Sequence, residues 1–115
     1  MTATARLSLW APVVVWAAVI FAFSSIPGLG TGLGTWDLVL RKLAHAAEFA
    51  ILGALLARAL RHPWIALVAG SLYAVTDELH QAFVSNRNAS PVDWAIDTAG
   101  VAIGVFVWLL WRRRR

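Results

Sequence analysis

Four apolar segments, each about as long as a bilayer is thick, dominate this 115-residue sequence. A transmembrane helix needs about 20 predominantly apolar residues, and the four segments cover residues 7–26, 38–60, 63–84 and 91–111. Charged residues make up only 14% of the chain, whereas a soluble domain carries about 25%. The sequence therefore predicts an all-α membrane protein, a four-transmembrane-helix bundle that forms a single domain over residues 1–115.

The basic residues predict how this bundle is oriented. If both termini are cytoplasmic, seven of the ten Lys and Arg residues fall on the cytoplasmic side: Arg6, Arg58, Arg61, Arg112, Arg113, Arg114 and Arg115. The other side holds Arg41, Lys42 and Arg87. Because Lys and Arg concentrate in cytoplasmic loops, we expect both termini in the cytoplasm. The basic tail follows an apolar segment, so we expect it to contact anionic headgroups and expect no nucleic-acid partner.

Eight ionisable residues of the second, third and fourth segments form the predicted site. A charge at the centre of a transmembrane helix costs about 2.5–3.5 kcal/mol, so such residues usually face one another, a cavity or a substrate. With the predicted topology all eight fall at a similar depth near the extracytoplasmic ends of their helices: Lys42, His45, Glu48, Asp77, Glu78, His80, Asp93 and Asp97. This shared depth predicts an outward-facing polar pocket.

Helical spacing indicates which of these residues share a face. The three ionisable residues of the second helix follow at intervals of three, so they step around one side of it. In the third helix, Asp77 and Gln81 share a face, whereas Glu78 points about 100° away. A stripe on the fourth helix carries, in order, Asp93, Asp97, Gly100 and Gly104. The glycine half of this stripe lets another helix approach closely.

The acidic residues of the pocket outnumber the basic ones beside them. Five carboxylates sum to −5 if ionised, and three nearby basic residues return +3, which leaves −2. Carboxylates that keep their protons, a protonated histidine or a bound cation can relieve such an excess. Oxygen and imidazole ligands suit Mg²⁺, Mn²⁺ or Zn²⁺. The candidate ligands for a divalent metal are His45, Glu48, Asp77 and Asp93.

Three motifs follow one another between residues 38 and 104. They are Lys42-x-x-His45-x-x-Glu48-Phe49-x-x-Leu52, then Asp77-Glu78-x-x-Gln81-x-Phe83, then Arg87-x-x-Ser90-x-x-Asp93-x-x-x-Asp97-x-x-Gly100-x-x-x-Gly104. The set resembles the VanZ-like family of small bacterial membrane proteins and domains, named after a teicoplanin-resistance protein. Asp97 stands where members often have Asn, and Ser85-Asn86 stands where Pro-Gly often precedes the arginine.

The resemblance implies a cell-envelope role at the outer face of the bacterial cytoplasmic membrane, linked to lowered action of glycopeptides such as teicoplanin. It implies no established reaction, so whether the protein is an enzyme stays open. The pocket residues favour a protein that recognises or modifies an envelope lipid or a lipid-linked cell-wall precursor. The candidate substrate-binding residues are Lys42, Glu78, Gln81, Arg87, Asp93 and Asp97.

Other functions remain open for the same pocket. A metal-assisted hydrolase or transferase would use Glu48 or Asp77 as the general base and His45 as a proton shuttle or metal ligand. A proton-coupled carrier would use the paired acids and histidines, although the cytoplasmic half of the helices offers no continuing polar path. A purely structural network would hold the helices together. The small bundle could also form a homodimer that encloses the pocket.

Reporter fusions test the predicted topology. Alkaline phosphatase folds only outside the cytoplasm, so we expect it to be inactive when fused after residue 115 and active when inserted in the loop at residues 85–90. Green fluorescent protein, which matures in the cytoplasm, should give the reverse pattern. An active phosphatase at the C-terminus would contradict the predicted orientation.

Overall fold

A computed structural model of the chain describes residues 2–25, 35–84 and 90–114 and contains four helices. They are α1 (Ala3–Ser24), α2 (Thr35–Leu60), α3 (Pro63–Gln81) and α4 (Pro91–Arg113). No strand occurs in these ranges, so the predicted all-helical architecture is confirmed. Helices α1, α4 and the part of α2 from Val39 are long and apolar enough to cross a membrane. The role of α3 as a fourth span and the single domain remain predictions.

Local capping interactions explain where α1 and α4 begin. The Thr2 hydroxyl accepts a hydrogen bond from the Ala5 backbone N–H at 3.0 Å, so α1 begins four residues before the predicted start. The Ser90 hydroxyl accepts from the Asp93 N–H at 3.1 Å, and α4 begins at the predicted proline. A hydroxyl in this position satisfies one of the backbone donors that a helix leaves unpaired at its start. Helix α3 ends at Gln81, three residues before its predicted end.

The helices alternate in direction, and this brings polar groups of all four helices to one end of the bundle. The C-terminal ends of α1 and α3 meet the N-terminal ends of α2 and α4, where His45 contacts Asp77 and Asp97. The opposite end holds a cavity of about 710 Å³ lined by Leu9, Arg58, Arg61, Trp108, Trp111 and Arg112. The N-terminal end of α1 and the C-terminal end of α4 therefore lie on the same side of the bundle. That this side is cytoplasmic remains a prediction.

Helices α2 and α4 make the closest contact in the bundle, and glycines allow it. A Cβ atom at Gly100 would collide with the backbone carbonyl of Ala46, and one at Gly104 would collide with that of Ala50. From the other side, a Cβ atom at Gly53 would meet the backbone of Val101. Small residues let helix backbones approach closely in membranes. The stripe predicted on α4 thus lies against α2.

The bundle has an apolar exterior and a partly polar interior. Large apolar side chains such as Leu7, Leu43, Leu72 and Phe106 are more than half exposed on the four helices, whereas Asp97 is completely buried. Membrane proteins turn ionisable groups toward the bundle interior because hydrocarbon cannot solvate them. This distribution is consistent with a multi-pass membrane protein.

The contact between α2 and α4 predicts the effect of adding a side chain. We expect Gly104→Val to destabilise the protein by about 1–3 kcal/mol, because the new side chain meets the backbone of Ala50 instead of a flexible side chain. Ala102→Val, on the exposed face of the same helix, serves as the matched control. Thermal unfolding in detergent measures both variants, and equal melting temperatures would argue against this packing.

Candidate functional site

Four polar side chains from three helices converge inside the bundle. We call them the polar cluster: His45 of α2, Asp77 and Glu78 of α3, and Asp97 of α4. Each offers one nitrogen or oxygen atom, and these four atoms all lie within 4.8 Å of one another. The three acidic residues are buried. Glu78 joins the cluster although it points about 100° away from Asp77 on the helix, because α3 is packed against α1, α2 and α4.

Acidic groups flank both nitrogens of the His45 ring. Its Nε2 atom lies 2.9 Å from Asp77 Oδ2 and 3.3 Å from Asp97 Oδ1. Its Nδ1 atom lies 3.3 Å from Glu48 Oε2, one turn further along α2. The ring also stands edge-on to the Phe49 ring, with centroids 5.1 Å apart. The imidazole therefore lies between carboxylates on both sides.

Helix α1 contributes a residue that the sequence analysis did not identify. The buried Ser24 hydroxyl donates a hydrogen bond of 2.5 Å to Asp77 Oδ1 and accepts one of 3.5 Å from Gln81 Nε2. Ser24 is the last residue of α1, at the end of the bundle where the polar cluster lies. Its position near the end of the first apolar segment could have indicated it, because the other site residues were selected by their depth.

Seven buried side-chain atoms at this site have no hydrogen-bond partner within the described part of the chain. They are His45 Nε2, Glu48 Oε2, Asp77 Oδ2, both carboxylate oxygens of Glu78 and both of Asp97. His45 Nε2 belongs to this set because neither nearby carboxylate lies where a ring N–H could donate to it. Buried polar atoms are normally paired, and leaving them unpaired is costly. The cluster thus gathers acceptor atoms without enough donors.

A second polar group lies beside the cluster and is more exposed. Lys42 of α2 forms an ion pair with Asp93 of α4. About a third of the Lys42 side chain is exposed, and about a fifth of the Asp93 side chain. Asp93 stands in the first turn of α4, where the helix dipole also favours a carboxylate. The pair therefore joins α2 to α4 at the edge of the site.

The structure separates the predicted site residues into groups. Of the predicted metal ligands, His45 and Asp77 belong to the polar cluster, Glu48 lies behind His45, and Asp93 pairs with Lys42. His80 lies 2.9 Å from the Ser25 hydroxyl and stacks on Phe21, so it contacts α1 instead of the cluster. Arg87 lies outside the described residues.

Comparison with known proteins agrees with the three sequence motifs. A protein-family model described as VanZ/LLP1 matches residues 7–112, which is nearly the whole chain. No curated protein and no solved structure gave a match. The family match includes the first helix, the buried acids of α3 and α4 and the histidine of α2. The chain therefore belongs to the VanZ/LLP1 family.

Proposed function

We propose that this protein recognises or modifies an envelope lipid or a lipid-linked cell-wall precursor at the extracytoplasmic face of the bacterial cytoplasmic membrane. One observation carries the proposal: a buried acidic cluster and a partly exposed Lys42–Asp93 pair lie together at one end of a bundle with an apolar exterior. A ligand that is polar at one end and apolar at the other matches both surfaces.

The surroundings of the ion pair support an amphipathic ligand. Leu40 and Leu43 on α2 and Val92 on α4 are each more than half exposed. These side chains neighbour Lys42 and Asp93 along the two helices. A lipid whose headgroup reaches the pair can therefore lay its chains against apolar side chains of the same helices.

The polar residues suggest how a headgroup binds. Lys42 is a point charge that suits phosphate, and Arg87 is the second candidate cation. Asp93, released from Lys42 by the phosphate, accepts hydrogen bonds from an amine or hydroxyl group. Gln81 can donate and accept, and the buried Glu78 and Asp97 accept deeper in the site.

A membrane-embedded, metal-assisted hydrolase or transferase is the second candidate. It is supported by His45, whose two nitrogens lie within 3.3 Å of Glu48 and of Asp77 and Asp97. A carboxylate beside an imidazole can hold it in position to move a proton. In this function Glu48 or Asp77 is the general base and His45 the shuttle or metal ligand. Unchanged turnover of candidate lipids by Glu48→Gln would argue against it.

Two other functions have less support. A structural network would satisfy its own buried acceptors, whereas both oxygens of Glu78 and of Asp97 lack partners in the described ranges. A proton carrier needs titratable groups along a path, and no Asp, Glu, Lys, Arg or His occurs in residues 49–57, 63–76 or 98–111. Lipid recognition or modification needs polar groups at only one end of the bundle, where the polar cluster and the Lys42–Asp93 pair lie.

Lipid binding by the purified protein tests the proposal. In native mass spectrometry we expect anionic or lipid-linked precursors to bind in preference to zwitterionic lipids. Lys42→Gln should weaken this binding about 10–100-fold, because a hydrogen bond to a charged group contributes about 1.5–3 kcal/mol. Arg58→Gln, at the opposite end of the bundle, is the matched control. Equal binding of all three lipid classes by the wild-type protein would contradict the proposal.

A role in glycopeptide resistance is tested separately in cells. If the ligand is a cell-wall precursor, expression of the protein in a susceptible bacterium should raise the minimum inhibitory concentration of teicoplanin. Asp77→Asn should abolish the increase, because it changes a buried carboxylate of the polar cluster, and Arg58→Gln should preserve it. Immunoblotting of membranes controls for expression. If the Asp77→Asn variant still raises the minimum inhibitory concentration, resistance does not depend on this site.

A further inference from the structure

We propose that the polar cluster binds one divalent metal cation through His45 Nε2 and carboxylate oxygens of Asp77, Glu78 and Asp97. The inference deepens the proposed function, because a cation at this place lets a carboxylate-lined site accept an anionic headgroup. Only this role in headgroup binding rests on the proposed function. Binding of the ion itself follows from the distances between the four side chains, their lack of hydrogen-bond donors and their charge.

The distances in the cluster match those between ligands of a single ion. Neighbouring ligand atoms lie about 3.0–3.3 Å apart around an ion whose metal–ligand bonds are about 2.0–2.1 Å long. His45 Nε2 lies 2.9 Å from Asp77 Oδ2 and 3.3 Å from Asp97 Oδ1. The fourth ligand, from Glu78, lies within 4.8 Å of the other three. One ion can thus contact all four after small side-chain movements.

The unpartnered atoms give a second, independent argument. Asp97 is completely buried and Glu78 is 7% exposed, and neither carboxylate has a hydrogen-bond donor in the described parts of the chain. The two carboxylates nearest to His45 Nε2 also lie outside the direction of a ring N–H bond. Carboxylate oxygens that converge on a ring nitrogen without an aligned N–H match the arrangement of a metal site. A hydrogen-bonded network would align donors with acceptors.

The charge of the cluster favours a bound cation. Three ionised carboxylates and a neutral imidazole carry −3, and a divalent ion reduces this to −1. The single lysine of the chain, Lys42, pairs with Asp93 instead of a cluster carboxylate. Acidic groups buried together are otherwise strongly disfavoured in the ionised form.

Side chains behind the ligands are arranged to orient them. Glu48 Oε2 lies 3.3 Å from His45 Nδ1, on the side of the ring away from the cluster. A small rotation of the ring would let Nδ1–H donate to it, as in carboxylate–histidine–metal sites. The Ser24 hydroxyl binds Asp77 Oδ1 and leaves Oδ2 for the ion. Such outer interactions select the ring orientation and the free carboxylate oxygen.

The ligand types narrow the choice of ion. Carboxylate oxygens suit Mg²⁺, Ca²⁺ and Mn²⁺, whereas imidazole suits Zn²⁺ and other transition metals. A set of three carboxylates and one imidazole suits Mn²⁺ through its oxygens. It also suits Zn²⁺, which binds both imidazole nitrogen and carboxylate oxygen. We therefore assign a Mn²⁺ or Zn²⁺ site, and Mg²⁺ should bind more weakly because the imidazole favours a softer ion.

Metal titration of the full chain tests the assignment. The protein in detergent is stripped with a chelator and titrated separately with Mn²⁺, Zn²⁺ and Mg²⁺, and bound metal is measured by mass spectrometry after gel filtration. We expect one Mn²⁺ or Zn²⁺ per chain and a higher melting temperature in its presence. In Mn²⁺ electron paramagnetic resonance, nitrogen coupling should be present in the wild type and lost in His45→Gln. His80→Gln, which lies outside the cluster, is the matched control and should keep the coupling.

Carboxamide variants test the remaining ligands without a large change in shape. Asp97→Asn and Glu78→Gln should each weaken binding more than tenfold, and Glu48→Gln should weaken it about 10–100-fold as an orienting residue. Gel filtration and circular dichroism establish that each variant is folded. No stoichiometric ion on the wild type, or equal affinity in the wild type and a folded Asp97→Asn variant, would overturn the metal site.

The same preparations distinguish failure of this inference from failure of the proposed function. A wild-type protein that binds one ion but shows no lipid preference keeps the metal site and contradicts lipid recognition. A protein that prefers anionic or lipid-linked lipids after chelation and binds no ion contradicts only the metal site. Lipid binding that Mn²⁺ or Zn²⁺ strengthens, and that Asp97→Asn weakens, supports both.

Discussion

The close contact between α2 and α4 sets the distances at the polar cluster. Gly100 lies against the backbone of Ala46, which neighbours His45, and Asp97 stands about one turn before Gly100 on the same face. Because no side chain separates the two backbones there, the Asp97 carboxylate reaches within 3.3 Å of the imidazole. A larger residue at Gly100 would separate the helices and open the cluster. The glycine-mediated packing and the geometry of the polar cluster therefore both depend on the pair α2 and α4.

The remaining polar groups of the interior contrast with the cluster. The Tyr73 hydroxyl donates to the Ala17 carbonyl at 2.5 Å, and the Trp16 indole N–H donates to the Glu48 carbonyl at 2.8 Å. These groups are paired, as buried polar groups normally are. The buried carboxylates of Glu78 and Asp97 are acceptors without a described donor. Within the described residues, the buried side-chain atoms without a partner are concentrated at this one place, which is the organisation of a binding site.

Membership of the VanZ/LLP1 family and the geometry address different aspects of function. The family match assigns the chain to a class of membrane proteins, whereas the cluster describes what chemistry the site can support. An exposed cation at Lys42, buried oxygen ligands and an apolar exterior are separate requirements for handling an anionic amphiphile. A cation bound between them would link the negative interior to a negative headgroup. Lipid recognition and metal binding are thus parts of one proposal that can be measured independently.

By itself, the sequence predicted the helices and the depth of the polar residues, because segment length and rise per residue depend only on position along the chain. It could not predict which acids meet, since that depends on how each helix is rotated and which neighbours it packs against. Glu78 therefore enters the cluster, Asp93 pairs with Lys42, and Ser24 joins from α1. Only tertiary packing decides these contacts, because lipid exposure turns every polar face inward without specifying its partner.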